Sequence, residues 1–161
     1  MAIGSDLFKA MMSRWASGVT VVTTQGEEGG VHGMTASSFS SVSLNPPLVL
    51  ICVNRKNRTH DQIVAQRCFG IHLLDQEMKP LSNRCAGFQG EEGHLLSDLP
   101  RHEEVTGAPI LNDALAWMDC SLWAAYDGGD HTIFVGEIQA GGAQEGEPLL
   151  WFNRGYGRLE G

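Results

Sequence analysis

The chain of 161 residues has few cationic side chains: 11 lysines and arginines stand against 19 aspartates and glutamates, giving a formal net charge of -8. Surplus acid repels polyphosphates and anionic lipid headgroups, which argues against general nucleic-acid or membrane-surface binding. No apolar run approaches the roughly 20 residues that cross a bilayer, and the first residues lack a signal-peptide layout. We therefore expect one cytoplasmic domain over residues 1–161.

Several common site motifs are also missing. The four cysteines contain no Cys-x-x-Cys pair, and the six histidines contain no His-x-x-x-His pair. This argues against a zinc site, a dithiol redox motif or a catalytic metal, and predicts four reduced, mostly buried thiols. Because there is neither a Gly-x-Ser-x-Gly elbow nor a Gly-x-Gly-x-x-Gly fingerprint, a serine hydrolase and a Rossmann fold are disfavoured.

The patterns that are present are mainly those of strands. β-branched residues fill positions 19–24, and a glycine-rich turn leads back through residues 31–36, which indicates a hairpin. Residues 48–53 are continuously apolar and predict a central strand buried on both faces. A second hairpin is predicted from residues 114–126 and 131–140, where Gly136 suggests a close approach by another group. A last short strand over 148–152 precedes a polar tail. This series of short strands favours a mainly β barrel.

Helical spacing is confined to short segments. Ser5 is a candidate N-cap for an apolar stripe that we expect to pack in the core, formed by Leu7, Phe8, Met11, Met12 and Trp15. Thr59-His60-Asp61-Gln62 is a capping-box pattern, so a second helix is predicted to begin at Thr59. Residues 76–85 predict a third short helix, and residues 87–107 have the weak periodicity of a loop.

Two segments predict a ligand site. The run from Gly33 to Pro47 is rich in small residues and hydroxyls, which would let a ligand lie against backbone amides. A serine-rich turn without a ligand explains the same composition. Arg55 and Arg58 precede the expected helix start at Thr59, where unpaired backbone donors suit a phosphate. Together these segments predict a site for a flat, phosphate-bearing ligand.

Segments 17–24, 33–39 with Pro46-Pro47, 54–61 and 129–137 resemble, in this order, the flavin reductase-like family. Its members are short-chain NAD(P)H:flavin oxidoreductases, the small components of two-component flavin-dependent monooxygenases, and residues 148–159 match its closing segment. The resemblance implies an FMN-binding split β-barrel, Greek-key-like, with a few short flanking helices, that forms a homodimer. It also implies hydride transfer from NADH or NADPH to FMN or FAD, with the reduced flavin supplied to a partner monooxygenase.

The resemblance also assigns residues to the flavin and nicotinamide. Those expected along the isoalloxazine and ribityl chain are Met34, Thr35, Ala36, Ser37 and Ser38, with Cys52, Val53 and Asn54 beneath. Those expected at the phosphate are Ser40, Arg58 and Thr59. Those expected at the remoter part of FAD are Arg84, Cys85 and Ala86, and those at the nicotinamide are His131 and Tyr156. No catalytic acid, base or metal is implied, because the protein has mainly to align two rings.

Other interpretations remain open on the residues alone. Cys85 stands where we would expect phenylalanine in this family, and its residue type favours a small buried hydrophobe over a redox role. His131 reads as a turn histidine beside Asp130, Arg58 as a solvated charge, and Tyr156 as packing. At the level of function, the alternatives are a flavin-binding electron-transfer module and a reductase that uses bound flavin on another acceptor.

Overall fold

A computed structural model describes the backbone of residues 1–161 and every side chain except those of residues 91 and 93. Helices α1, α2 and α3 span Ser5–Met12, Arg58–Gln66 and Lys79–Asn83, and a π-helical turn follows at Arg84–Phe88. Short 3-10 turns lie at Glu27–Gly29, Gln76–Met78 and Glu91–His94. Strands β1 to β12 span Ser17–Gly18, Thr20–Gln25, Val31–Ala36, Phe39–Ser43, Leu48–Asn54, Cys68–Leu73, Arg101–Glu103, Pro109–Leu111, Ala116–Gly128, His131–Ala143, Leu150–Phe152 and Gly155–Gly157.

Seven strands form one antiparallel sheet in the order β3-β2-β6-β9-β10-β5-β4. Its two edges, β3 and β4, are joined only by Ser37 and Ser38. Six strand spacings of about 4.8 Å would separate the edges of a flat sheet by roughly 29 Å, whereas this link reaches only about 10 Å. The sheet must therefore curl until its edges meet. Because no ladder joins β3 to β4 in the described chain, the result is a barrel split along this line, as predicted.

Two apolar clusters occupy the two sides of the curled sheet. The first lies inside it and draws residues from six strands and α2, among them Val22, Ile51, Ile63, Phe69 and Phe134. The second lies outside and joins Val19, Val21, Val31, Leu74, Cys85, Leu96, Leu111 and Leu149. Strand β2 is buried on both faces because neighbouring Val21 and Val22 point into different clusters.

Gly136 confirms the expected close approach within β10. A Cβ at this position would lie 2.7 Å from the Phe69 ring and 2.9 Å from Cys120 Cβ. Strand β5 follows its prediction less closely. Leu50 and Cys52 are only half-buried, because one of its faces is partly open, while Val49, Ile51 and Val53 fill the interior.

The expectation that the α1 stripe packs in the core is wrong. Its apolar side chains are exposed, from 44% for Met11 to 54% for Leu7 and Phe8, and Trp15 beyond the helix is 74% exposed. Helical periodicity identifies an apolar face. It does not indicate whether the surface that covers that face belongs to the same chain.

The start of α2 differs from the capping-box prediction. Asn57 is the N-cap, and its side-chain oxygen accepts a hydrogen bond from Thr59 N at 3.0 Å. Gln62 does not turn back to the cap, because its side-chain oxygen accepts from the Thr24 hydroxyl at 2.5 Å. Asparagine ranks above threonine as an N-cap, so the helix begins one residue earlier, at Arg58.

The tail after β11 holds a strand that the sequence pattern did not predict. Residues 155–157 form β12, which pairs with β11 and sets Tyr156 opposite Trp151. The two rings meet edge to face with centroids 5.0 Å apart. The four cysteines are free, and Cys68, Cys85 and Cys120 are buried, which confirms the predicted thiols.

Buried His72 makes stability depend on pH. It joins β2 to the chain at β8, since its Nδ1 lies 3.0 Å from Val21 O and its Nε2 accepts from Leu111 N at 2.9 Å. The second bond requires a neutral ring. Burial lowers the His72 pKa from 6.5 to about 4.

Because folded His72 binds fewer protons than unfolded His72, the free energy of unfolding should fall as pH drops from 6.5 to about 4. We expect His72→Gln to flatten this slope in urea titrations over that range. Exposed Ser41 carries no titratable side chain, so Ser41→Ala provides the control and should keep the wild-type slope. Parallel slopes for wild type and His72→Gln would contradict the assignment.

Candidate functional site

A groove lies beside the Ser37-Ser38 link, between β3 and the end of β5, and consists of adjoining cavities. The central cavity, about 440 Å³, is lined by Met34, Thr35, Ala36, Ser37, Ser38, Cys52, Asn54, Asn57, Cys85, Ala86, His94 and His131. The basic cavity, about 510 Å³, is lined by His32, Asn54, Lys56, Asn57, Arg58 and His94. The tail cavity, about 310 Å³, shares Thr35, Ser37 and Ala86 with the central one and is closed by Trp151 and Tyr156.

The floor of the central cavity, residues 34–38, is fixed by its own hydroxyls. Ser38 Oγ donates to Cys52 O at 3.0 Å and accepts from Cys52 N at 3.2 Å. Thr35 Oγ1 donates to Ser82 O at 2.6 Å. The hydroxyl protons of Thr35 and Ser38, which the sequence suggested as ligand donors, therefore bind the floor to α3 and β5 instead. Ser37 is the exposed hydroxyl of this stretch.

The basic cavity lies at the N-terminus of α2. Lys56 and Arg58 line it beside the Asn57 cap. Helix N-termini carry unpaired amides and a partial positive charge, so this end attracts anions within an acidic chain. Thr59 Oγ1 is buried just behind, and it is one of the side-chain atoms with no hydrogen-bond partner among the described residues. A phosphate or carboxylate is the ligand chemistry that this end accommodates.

The hairpin between β9 and β10 supplies the opposite wall. Cross-strand pairing sets His131 opposite Asn54 of β5, which brings the imidazole to the central cavity. His131 Nδ1 lies 2.7 Å from Asp130 Oδ1, and this hydrogen bond holds the pKa of Asp130 below its usual range. Arg55 fixes the hairpin tip by donating to Gly129 O at 3.1 Å and to Asp127 at 2.5 Å.

The thiols of the central cavity are not arranged for redox chemistry. Desolvation raises the pKa of Cys85 to about 12 and also raises that of Cys52. A thiol with so high a pKa stays protonated and is a poor nucleophile. Cys85 also belongs to the outer apolar cluster. Its interpretation as a small buried hydrophobe is therefore the one that the geometry favours.

Most residues that the resemblance assigned to the site converge on the groove. Ten line the central cavity: Met34, Thr35, Ala36, Ser37, Ser38, Cys52, Asn54, Cys85, Ala86 and His131. Arg58 lines the basic cavity and Tyr156 the tail cavity. The hydroxyl of Tyr156 lies 2.7 Å from Ser82 Oγ, so the ring is fixed against α3.

Four assigned residues lie outside the three cavities. Val53 is fully buried in the inner cluster, and Thr59 is fully buried within α2. Ser40 is exposed on β4 and donates to Ser41 O at 3.0 Å. Arg84 points away, pairing with Asp98 at 2.7 Å beside a separate surface cavity. Strand alternation accounts for Val53, because its neighbours Cys52 and Asn54 face the groove.

The residues assigned from the sequence did not include several that line the groove, among them Asn57, His32 and His94. Asn57 was hidden by the capping-box pattern, although asparagine before Arg58 is itself an N-cap signal. His32 and His94 carried no spacing signal, because they are 62 positions apart in the chain and meet only through folding. Their rings stack with centroids 5.2 Å apart and planes at 19°.

Comparison with known proteins identifies the class of this fold and groove. Residues 12–160 match the model of the flavin reductase like domain. Because the match covers almost the whole chain, the protein belongs to this family.

Relatives of known name support the same class. The chain is 36% identical to an NADH-dependent flavin reductase of a Rhodococcus species, over 92% of this chain and 83% of that protein. It is 40% identical to the reductase component of 4-hydroxyphenylacetate 3-monooxygenase of Thermus thermophilus, over 96% of each chain.

Solved structures agree closely in fold. Flavin reductase PheA2 matches with a TM-score of 0.88 and 39% identity, covering 99% of this chain and 100% of that one. The NADH:FAD oxidoreductase SgcE6 of Streptomyces globisporus, solved with NAD and FAD fragments, matches with a TM-score of 0.87 and 30% identity, covering 99% and 97%. At these identities the likeness extends beyond the fold to family membership.

If Arg58 holds the flavin phosphate, Arg58→Ala should weaken FMN binding by about 1.5–3 kcal/mol, the usual effect of losing a charged hydrogen bond. Fluorescence titration of FMN would measure this as a roughly tenfold to hundredfold rise in Kd. Arg67 lies exposed at the other end of the same helix, so Arg67→Ala controls for the loss of one positive charge. An unchanged Kd for Arg58→Ala would contradict the phosphate assignment.

Proposed function

We propose that this protein is an NADH-dependent flavin reductase that transfers a hydride from nicotinamide to FMN or FAD and supplies reduced flavin to a partner monooxygenase. The observation that carries the proposal is the groove itself. A floor of small residues adjoins a cationic helix terminus, as a flat ring with a phosphate tail requires. The chain's relatives include reductase components of monooxygenases.

The groove fits a flavin in shape and in polarity. Ala36 and Ser37 are small enough for a ring to approach the backbone, and Asn54 and Asn57 offer amides at the junction with the basic cavity. Bound flavin would supply the atom that accepts the hydride, N5 of its central ring. The protein's own task is then to hold two rings face to face and exclude water.

His131 is the residue best placed to meet the nicotinamide. It stands at the mouth of the central cavity, and its side chain is 40% exposed. Arg55 and Asp130 fix its position through the hairpin tip. Direct hydride transfer moves no proton in the same step, so we assign His131 to binding and orientation. On the same reasoning, the thiols and hydroxyls of the groove serve packing and hydrogen bonding.

The proposed function includes a homodimer. The apolar face of α1 lies in solvent, and exposed apolar patches of this kind are typical of interaction surfaces. A second copy of the chain is the simplest partner that could cover it, since oligomers of soluble proteins are most often symmetric dimers. The proposed location is the cytoplasm, where four free cysteines are stable as thiols. None of the described helices is long and apolar enough to cross a membrane.

The protein should sediment at twice its chain mass of 17.5 kDa. Replacing Phe8 and Met12 of α1 by glutamate should shift it toward monomer, because two charges would have to be buried against the partner. Lys9 lies on the same helix and is already charged, so Lys9→Glu is the matched control. A monomeric wild type in sedimentation velocity would contradict the dimer.

The reductase activity is tested by following NADH absorbance with trace and then excess free flavin. Turnover that rises with added FMN or FAD is expected, since flavin is both acceptor and product. No oxidation of NADH or NADPH under any flavin condition would contradict the function and favour an electron-transfer module. A rate of NADH oxidation that does not change with excess flavin would instead favour a reductase that uses bound flavin on another acceptor.

A further inference from the structure

His60 is a nearly buried histidine that does not line any of the three cavities of the groove. It lies in the first turn of α2, and its side chain is 14% exposed. The Nε2 atom lies 2.8 Å from Thr132 Oγ1 on β10. The ring packs against fully buried Phe134, with centroids 5.3 Å apart. His60 therefore joins α2 to β10 by one hydrogen bond and one ring contact.

The direction of this hydrogen bond is set by the next residue of the helix. His60 Nδ1 lies 3.2 Å from Asp61 Oδ1. An ionised carboxylate can only accept, so Nδ1 carries the proton of the neutral ring. The Nε2 atom is then the acceptor, and the Thr132 hydroxyl donates to it. A side chain that replaces His60 must therefore offer an acceptor at the Nε2 position to keep the bond.

The His60–Thr132 bond lies between the two ends of the groove. On α2, Arg58 precedes His60 by two positions and lines the basic cavity. On β10, His131 directly precedes Thr132 and lines the central cavity. A change in the distance from His60 to Thr132 therefore moves the N-terminus of α2 relative to the strand that carries His131.

Other side chains attach α2 to a different strand. Gln62 Oε1 accepts from the Thr24 hydroxyl at 2.5 Å. At the last turn, Gln66 Nε2 donates to Gln25 O at 2.6 Å, and Gln66 Oε1 accepts from Gln25 N at 3.1 Å. These bonds join the helix to β2. Without His60 they would still hold the helix, but they would not fix its first turn against β10.

We propose that His60 is a positioning residue for hydride transfer. Its bond to Thr132 fixes the phosphate-binding turn of α2 relative to the strand that presents His131 to the nicotinamide. This assignment rests on the proposed function, because it concerns the alignment of the same two ligands. His60 touches neither ligand, so its loss leaves their contacts in place and misaligns their rings. A misplacement of about 1 Å slows such a reaction by up to roughly 100-fold.

The test separates the rate of hydride transfer from the affinity for flavin. FMN Kd is measured by fluorescence titration, and the single-turnover rate of FMN reduction is followed by visible absorbance at saturating NADH without oxygen. His60→Ala should slow reduction roughly tenfold and raise the FMN Kd less than about threefold, the pattern of lost alignment. His60→Gln offers an acceptor near the Nε2 position and should restore most of the rate.

Two further variants test the bond itself. Thr132→Val removes the hydroxyl at nearly constant volume and should slow reduction as much as His60→Ala does. The double variant should lose no more than either single one, because both changes remove the same bond. Gln66→Ala is the matched control, since it removes the bonds at the far end of the same helix. It should keep the wild-type reduction rate even where it lowers Tm.

The contrary outcomes are distinct. Equal rate losses in His60→Ala and Gln66→Ala, or additive losses in the double variant, would overturn the positioning role. A raised FMN Kd with an unchanged reduction rate would also overturn it and make His60 a binding residue. Active wild type with an unaffected His60→Ala would contradict this role alone, whereas wild type that does not reduce flavin would contradict the proposed function. If circular dichroism shows that His60→Ala is unfolded, Thr132→Val decides the same question.

Discussion

The short link between β3 and β4 is the constraint on which the rest of the structure depends. Only Ser37 and Ser38 connect the two edges of a seven-stranded sheet, so the sheet must curl and the edges must come close. They come close without pairing, and the groove opens beside their link, between β3 and the end of β5. The hydrogen bonds between Ser38 and Cys52 fix the width of the split from one side. The position of the ligand site is thus determined by the short link between β3 and β4, and the individual side chains only line it.

The same constraint explains why the floor is made of small residues. Strand β3 has the inner cluster on one face, through Met34 and Ala36, and the outer cluster on the other, through Val31. Large side chains at its C-terminal end would fill the split. Gly33 has a separate reason, because Leu96 occupies the space where its side chain would be. The run from Gly33 to Ser38 is therefore rich in small residues for two reasons, to keep the groove open and to make room for Leu96. Composition alone does not distinguish these reasons.

Much of the fold follows from local patterns. Periodicity and turn chemistry act within a few residues, so they predicted three features. These are the β2–β3 hairpin, the apolar strand β5, and the long β9–β10 hairpin with Asp127-Gly128-Gly129-Asp130 at its tip. The groove as a whole was predicted through resemblance, and ten of the sixteen assigned residues line its central cavity.

What failed depended on distant contacts. The apolar stripe of α1 is real, but no residue in it reveals that the rest of the chain leaves it uncovered. Gln62 matches a capping box in sequence, but its side-chain oxygen accepts a hydrogen bond from Thr24, 38 positions away. His32 and His94 have no sequence relation, and their rings meet where the segment of His94 and Leu96 is bonded to β3. In each case a tertiary contact overrides or completes a local signal.

The burial of the cysteines has a consequence for durability. Free reduced flavin reacts with dioxygen, so an enzyme that releases it works beside a source of peroxide. Peroxide attacks thiolates far faster than thiols. Desolvation raises the pKa of Cys52, and it raises those of Cys85 and Cys120 to about 12, so these sulfurs remain protonated near neutral pH. The packing that shapes the groove thereby also protects it from oxidation by the by-product of its own chemistry.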